Sequence, residues 1–340
     1  MIDIAIIGAG RIGQIHAKNL HRHPAANLRC IIDVSNTAAT QLADRCATKI
    51  GTLDEMLADS SIQAVVIASS TDTHAELVTA CAQAGKAIFC EKPLDLSIDT
   101  AKQCLAVVED KGVLMCVGFN RRHDPSFERV KREIESGTVG DVEVVSITSR
   151  DPSPPPADYV ARSGGLFRDM MIHDLDMGRW LLGEEPVEIF AAGSVLVDEA
   201  IGKAGDIDTA VATMKTGSGR LCMITNSRRC SYGYDQRIEV FGSRGMARAG
   251  NQRETLVETA GKSGYSREPA LPFFLERYAD AYRIQLDKFL RAAGGEEIPL
   301  PSGHDGLRAL EIAAAAERSH VDSIPIRLQP PIQAASVRQQ

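Results

Sequence analysis

The sequence predicts an N-terminal α/β domain built on a doubly wound parallel sheet, followed by an α+β C-terminal domain with a large, mainly antiparallel sheet. Three observations carry this prediction. Short apolar strands alternate with helical stretches over the first 120 residues, as in a parallel sheet covered on both faces. From Val142 onward, strands follow one another without intervening helices. The chain also opens on an apolar strand, Ile2 to Ile7, that runs directly into Gly8-Ala9-Gly10-Arg11-Ile12-Gly13. Gly8 suits a tight turn, Gly10 lets backbone approach a pyrophosphate, and Gly13 lets the following helix pack closely on the strand. A second strand, Leu28 to Ile32, delivers Asp33, whose carboxylate can take ribose hydroxyls. Strand, glycine turn, helix, strand and terminal carboxylate are the start of a Rossmann fold and predict dinucleotide binding. Asp33 would repel a 2′-phosphate, and Val34-Ser35-Asn36-Thr37 supplies no Arg or Lys to reverse that, so NAD is favoured over NADP.

The remaining elements of this domain (residues 1–120) read in order. Residues 36–47 are helical, Ala64 to Ala68 is a strand, and 74–84 is a helix. Ala87 to Cys90 is a strand, 97–111 a helix, and Leu114 to Gly118 a strand. Ligands of such sheets bind beyond the carboxyl ends of the strands. The loops Ser69–His74 and Glu91-Lys92-Pro93 both leave such ends. The candidate cofactor contacts are therefore Gly8, Gly10, Arg11, Ile12, Gly13, Asp33, Ser69, Thr71, His74, Glu91 and Lys92.

In the second domain (121–330), strands are expected at Val142 to Thr148, Val187 to Leu196, Thr209 to Thr216, Arg220 to Ser227 and Arg237 to Phe241. Helices are expected near 124–136, 165–182, 273–293 and 303–319. Asp151-Pro152-Ser153-Pro154-Pro155-Pro156 reads as a stiff loop, and 331–340 as a frayed tail.

Composition narrows the partners. A net charge of −7 over 340 residues argues against nucleic acid or an anionic membrane as the main partner. No apolar run reaches membrane-spanning length, and the N-terminus goes straight into a strand, so a cytoplasmic protein without a signal peptide is expected. The eight cysteines form no C-x-x-C pair. They read as buried free thiols in a reducing compartment, with neither a disulfide framework nor a metal site.

Two segments could carry chemistry. Lys92 sits at the ligand edge of the sheet, with Pro93 biasing its backbone toward an extended conformation; it could polarise a hydroxyl or carbonyl, or simply be solvated before a turn. In Gly164-Gly165-Leu166-Phe167-Arg168-Asp169-Met170-Met171-Ile172-His173, a helix would put Asp169 one turn before His173 on one face. A carboxylate there can orient an imidazole and raise its basicity, as a general base needs, although many such pairs only tighten a helix. Together the three residues suit oxidation of a secondary alcohol: an imidazole takes the hydroxyl proton and an ammonium stabilises the developing alkoxide.

These motifs also carry a resemblance. The chain resembles the glucose–fructose oxidoreductase/inositol dehydrogenase family, most closely its inositol 2-dehydrogenases. The likeness runs from the glycine loop through Glu91-Lys92-Pro93, Gly118-Phe119-Asn120-Arg121-Arg122 and Gly164-Gly165 to Asp169 and His173. It continues through Asn226-Ser227-Arg228-Arg229, Tyr234-Asp235-Gln236 and Phe274-Leu275-Glu276-Arg277-Tyr278. It implies NAD-dependent oxidation of a ring hydroxyl of a polyol, myo-inositol first, to the inosose. Other cyclitols or aldoses, or a dinucleotide-sensing regulator without catalysis, are the alternatives. It further implies His173 as general base, Asp169 as its orienting partner, and Lys92 on the reacting oxygen. Asn120, Arg122, Asp151 and Tyr234 would line the substrate pocket with Asp169 and His173. A homo-oligomer, commonly a tetramer built through the second-domain sheets, is implied as well. His123 stands where similar proteins often carry Phe or Tyr; it is expected at the surface, as are Arg121 and most other histidines, with His74 alone expected near the cofactor.

Overall fold

The computed structural model describes residues 1–330; the frayed tail expected over 331–340 lies outside the described residues. The chain folds into two compact units that are not contiguous in sequence. The first comprises Met1–His123 with Asp280–Leu310; the second begins at Asp124, runs to Ala279 and resumes at Glu311.

In the first unit, the elements from the N-terminus are β1 (Ile2–Ile7), α1 (Arg11–Arg22), β2 (Ala26–Ile32), α2 (Asn36–Arg45), β3 (Lys49–Ile50) and α3 (Leu53–Ala58). They continue with β4 (Ala64–Ile67), α4 (His74–Gln83), β5 (Ala87–Cys90), α5 (Ile98–Lys111) and β6 (Met115–Val117). The six strands are all parallel, in the order β3-β2-β1-β4-β5-β6, so the direction of winding reverses between β1 and β4. The central strands are buried on both faces, which is why Ile4–Ile7, Ala64–Ile67 and Ile88–Cys90 are uninterrupted apolar runs. Leu286, Phe289 and Leu290, far along the chain, join the same core as Ile4, Ile6 and Phe89.

Two short elements of this unit escape sequence reading. The strand β3 has only two residues, and α3 has six but is closed by a capping box between Thr52 and Glu55.

The second unit contains α6 (Pro125–Glu135), β7 (Val142–Arg150), α7 (Ala157–Ser163), α8 (Ile172–Leu182), β8 (Pro186–Ser194), α9 (Glu199–Lys203), β9 (Thr209–Thr216), β10 (Leu221–Ser227), β11 (Asp235–Gly242) and β12 (Gly245–Ala249). It goes on to a small hairpin, β13 (Glu258–Gly261) and β14 (Gly264–Arg267), then α10 (Phe274–Arg277). Helices α11 (Ala279–Ala293) and α12 (Gly303–Asp322) cross between the two residue sets before β15 (Ile326–Arg327). Seven strands form one sheet, β12-β11-β7-β10-β9-β8-β15, antiparallel except for the parallel pair β7–β10. Helix α8 packs on one face against β7 and β10, and Gly178 is small because a Cβ there would lie 2.6 Å from the Met214 methyl. The opposite face leaves Phe190, Val211, Leu221, Met223 and Phe241 exposed.

The helix expected over 165–182 is present over those residues, with a π-helical turn at Phe167–Met171 ahead of α8. Gly164 and Gly165 have φ of +83° and +80°, which separates this helix from α7, and at Gly165 Asp206 Oδ1 would be 2.8 Å from a Cβ. A second expected helix is interrupted. The helix over 273–293 breaks at Tyr278, where Arg277 and Tyr278 are both drawn inside. There the Asp124 side chain caps α6 by accepting from the Ser126 and Phe127 amides and forms a fully buried ion pair with Arg277. The Arg277 guanidinium also lies 5.1 Å from the Phe127 ring and 4.8 Å from that of Tyr278.

Removing one partner of such a pair strands a buried charge and loses a cap. Asp124→Ala is therefore expected to destabilise the second unit by about 3–5 kcal/mol, read as a lowered urea midpoint; a loss below about 1 kcal/mol would place this pair with weak surface bridges.

Candidate functional site

In the first unit the glycine loop is defined by close approach. Gly8 has φ +106°, and a Cβ on it would lie 2.4 Å from the Ala68 carbonyl oxygen. A Cβ on Gly13 would lie 1.9 Å from the Gly8 oxygen, whereas one on Gly10 would meet nothing within 4 Å. Two glycines thus serve packing, and the third faces open space at the start of α1. Among the described residues no side chain caps that helix, which leaves the amides of its first turn, Arg11 to Gly13, available to an anion. Asp33, at the end of β2, accepts from the Ala9 amide at 2.6 Å and from the Ser35 amide at 2.8 Å, which fixes its carboxylate beside the loop.

The next strand ends carry Ser69 and Thr71 after β4, and Glu91 and Lys92 after β5. Ser69 Oγ lies 2.7 Å from Thr73 Oγ1. The His74 ring is buried, with Nδ1 2.7 Å from the Pro93 oxygen and Nε2 3.2 Å from the Ser69 oxygen, so it ties the two loops together. Glu91 is buried against His16, whose Nε2 lies 2.7 Å from Oε1. The Lys92–Pro93 bond is cis. Burial pushes the Cys90 thiol well above its ordinary range, with Cys104 and Glu91 nearby adding to the effect, so it stays protonated. All eight cysteines are buried and free.

Surface positions expected for several residues are corrected here. His16 is fully buried, because Gly13, His16, Ala17 and Leu20 form the stripe of α1 that faces the sheet, a spacing visible in the sequence. Arg121 and His123 are buried with Asn120 in the turn after β6, and Arg122 pairs with Asp305 at 2.9 Å. Burial pushes the His123 pKa down to about 3, helped by the positive charges of Lys288 and Arg122. Neither ring nitrogen of His123 has a hydrogen-bond partner among the described residues.

In the second unit, register collects residues at one end of the sheet. Arg150 pairs with Ser227 in the parallel ladder and with Asp235 in the antiparallel one. Asp151, Arg228 and Tyr234 therefore leave the same end of three adjacent strands. Arg228, only 2% exposed, ion-pairs with Asp169 at 3.4 Å and with Asp206 at 3.8 Å. Asp169 also accepts from the Tyr159 hydroxyl at 2.9 Å. Asp169 lies in the π turn, one turn before His173 in α8, while Asp174 points into the sheet and accepts from Ser149 and Asn226. The sequence does not reveal Arg228 and Tyr159 as the holders of Asp169, nor Asp206 as the second carboxylate on Arg228. The only trace of Arg228 was its place in Asn226-Ser227-Arg228-Arg229, since nothing local signals a pairing 59 residues apart.

Comparison with known proteins agrees with this architecture. Residues 2–119 match the family model described as the oxidoreductase family, NAD-binding Rossmann fold, and residues 127–248 match the GFO/IDH/MocA C-terminal domain. The chain is 50% identical over 319 residues to an inositol 2-dehydrogenase of Rhizobium meliloti, covering 94% of this chain and 96% of that one. It is 47% identical over 328 residues to a myo-inositol 2-dehydrogenase of Thermotoga maritima, covering 96% and 98%. The crystal structure of a myo-inositol dehydrogenase from Corynebacterium glutamicum superposes with a TM-score of 0.93 at 39% identity, covering 97% and 99%.

His123 generates a pH prediction. Its folded pKa lies below the ordinary 6.5, so the unfolded chain takes up the proton first and stability is lost as pH falls from 6.5 toward 3. Between pH 7 and 5 the wild type is expected to lose about 2 kcal/mol more than His123→Phe, measured by urea unfolding; parallel profiles would refute this.

Proposed function

Because the chain belongs to the GFO/IDH/MocA family of NAD-binding oxidoreductases, we propose that it oxidises a ring hydroxyl of myo-inositol to the inosose with NAD as acceptor. The observation that carries this reading is Asp169, held by a buried arginine one turn before His173, on a chain that spans nearly the full length of inositol 2-dehydrogenases. The glycine loop fits the cofactor: open space at Gly10, uncapped amides at the start of α1, and a carboxylate fixed at Asp33. When bound there, NAD supplies the acceptor for the hydride.

The protein's own residues handle the proton and the oxygen. His173 takes the proton of the reacting hydroxyl. Asp169, its charge balanced by Arg228, orients the imidazole and accepts from a neighbouring substrate hydroxyl. The Lys92 ammonium holds the oxygen as negative charge develops on it. Asn120, Arg122, Asp151 and Tyr234 are assigned to the remaining ring hydroxyls, each of which needs a partner once desolvated.

We place the enzyme in the cytoplasm, where eight buried free thiols stay reduced, and read it as a homotetramer. The face of the second sheet not covered by α8 supports the tetramer. Cross-strand register sets Phe190 opposite Thr213, Thr213 opposite Met223, and Leu221 opposite Val144, so its exposed apolar side chains lie on adjacent strands.

NADH formation across myo-, scyllo- and chiro-inositol, glucose, xylose and galactose, each with NAD and NADP, is the direct test. Activity with myo-inositol and a higher kcat/KM for NAD is expected. Aldose-only activity would reassign the substrate, silence with demonstrable NAD binding would favour a sensing regulator, and a preference for NADP would overturn the role of Asp33. His173→Ala should abolish turnover while NAD still quenches intrinsic fluorescence; loss of both would undermine its role as base. Glutamate at both Leu221 and Met223 should lower the sedimentation mass below that of a tetramer, and an unchanged mass would remove this face from the assembly.

A further inference from the structure

We infer that His16 and His74 are positioning residues for Lys92, gripping the backbone segment that carries it from both sides. The inference rests on the reading of Lys92 given above. Residues 90–93 leave β5 with two ladder bonds remaining, the Glu91 amide donating to the Ile67 oxygen at 2.9 Å and the Cys90 carbonyl accepting from the Gly118 amide at 2.8 Å. Beyond them an imidazole grips the chain on each side of Lys92. Before Lys92, the Glu91 carboxylate bonds His16 at 2.7 Å and lies so close to the Gly118 backbone that a Cβ there would be 2.7 Å from Oε2. After Lys92, the Pro93 carbonyl meets His74 Nδ1 at 2.7 Å.

Both rings are themselves fixed. His16 is fully buried, edge-on to Phe89 at 5.1 Å and Tyr282 at 5.8 Å between ring centres. Its Nδ1 has no hydrogen-bond partner among the described residues, so the ring's polar contact is the one between Nε2 and the accepting Glu91 carboxylate. His74 is 1% exposed, and its Nε2 faces a second carbonyl, that of Ser69, at 3.2 Å. Both carbonyls can only accept, and the shorter contact, to Pro93, makes Nδ1 the donating nitrogen. A lysine between two such fastenings has its backbone set before substrate arrives. A displacement of about 1 Å at a reacting group costs roughly 100-fold in rate.

The two rings use different nitrogens, and this gives a test that size or polarity alone would not reproduce. A glutamine amide can stand in for Nε2 and an asparagine amide for Nδ1. At His16, Gln should keep kcat for myo-inositol with NAD within about threefold of wild type, while Asn and Leu lower it about 10- to 100-fold. At His74 the order should reverse, with Asn active and Gln and Leu impaired. KM for NAD should shift less than about threefold in the His16 variants. Should a leucine variant fail to fold, the Gln and Asn pair at the same position decides.

In a Lys92→Met background, which should itself reduce kcat severely, the histidine substitutions should have no further effect. Equal losses for Gln and Asn at both positions, or losses that persist in the Lys92→Met background, would overturn the inference and leave the histidines as general scaffold. Wild-type turnover in Lys92→Met, or a wild type silent with myo-inositol, would instead overturn the reading of Lys92 or of the substrate, and the positioning role with it.

Discussion

Backbone packed directly on backbone at the end of β1 is the constraint from which the first unit's site follows. Gly8 lies against the Ala68 carbonyl and Gly13 against that of Gly8, with no room for a single carbon at either position. This close packing brings the start of α1 over the end of the strand and leaves its first-turn amides facing outward at Gly10. Because all six strands are parallel, the loops after β2, β4 and β5 leave the same edge of the sheet, on either side of the reversal between β1 and β4. Asp33, Ser69 and Lys92 come from segments dozens of residues apart, yet their placement depends on how tightly that first turn closes.

The second unit solves a different problem, holding a carboxylate in one orientation while it is partly shielded from water. A buried guanidinium shared between Asp169 and Asp206 supplies the counter-charge, and the Tyr159 hydroxyl limits the rotation of Asp169. Arg228 reaches this point because β7 and β10 run parallel in a sheet otherwise antiparallel, so both strands end beside the turn that holds Asp169. The π turn at Phe167–Met171 belongs to the same arrangement. Two glycines in left-handed conformation separate it from α7, and the wider turn sets Asp169 ahead of α8.

Much of this was legible in the sequence, for identifiable reasons. Strands such as Ile2–Ile7 and Ala87–Cys90 are visible because burial on both faces demands unbroken apolar runs. The glycine loop and Asp33 are visible because their spacing is local. The reading weakens where the signal is short or distant. A two-residue strand such as β3 has no periodicity, and the pairing of Arg228 with Asp169 leaves no mark within any window of sequence. The surface expectation for His16 fails for a related reason: an imidazole counts as polar in composition, but this ring is interior and its Nε2 meets a carboxylate brought near only by folding. His123 shows the opposite limit, a titratable ring accepted inside the fold with neither nitrogen bonded to another described residue.

The division of the chain has a consequence for its synthesis. The core under the first sheet includes Leu286, Phe289 and Leu290 of α11, and the Phe289 ring stands edge-on to Phe89 at 5.6 Å between centres. A ribosome must therefore produce all of residues 124–279 before the helix that completes that core emerges. During that interval the nascent N-terminal sheet holds apolar surface that its own neighbours in sequence cannot cover, a period of exposure suited to chaperone binding. For the same reason, cutting the gene at the end of β6 would release a fragment with an open core rather than a free-standing nucleotide-binding domain.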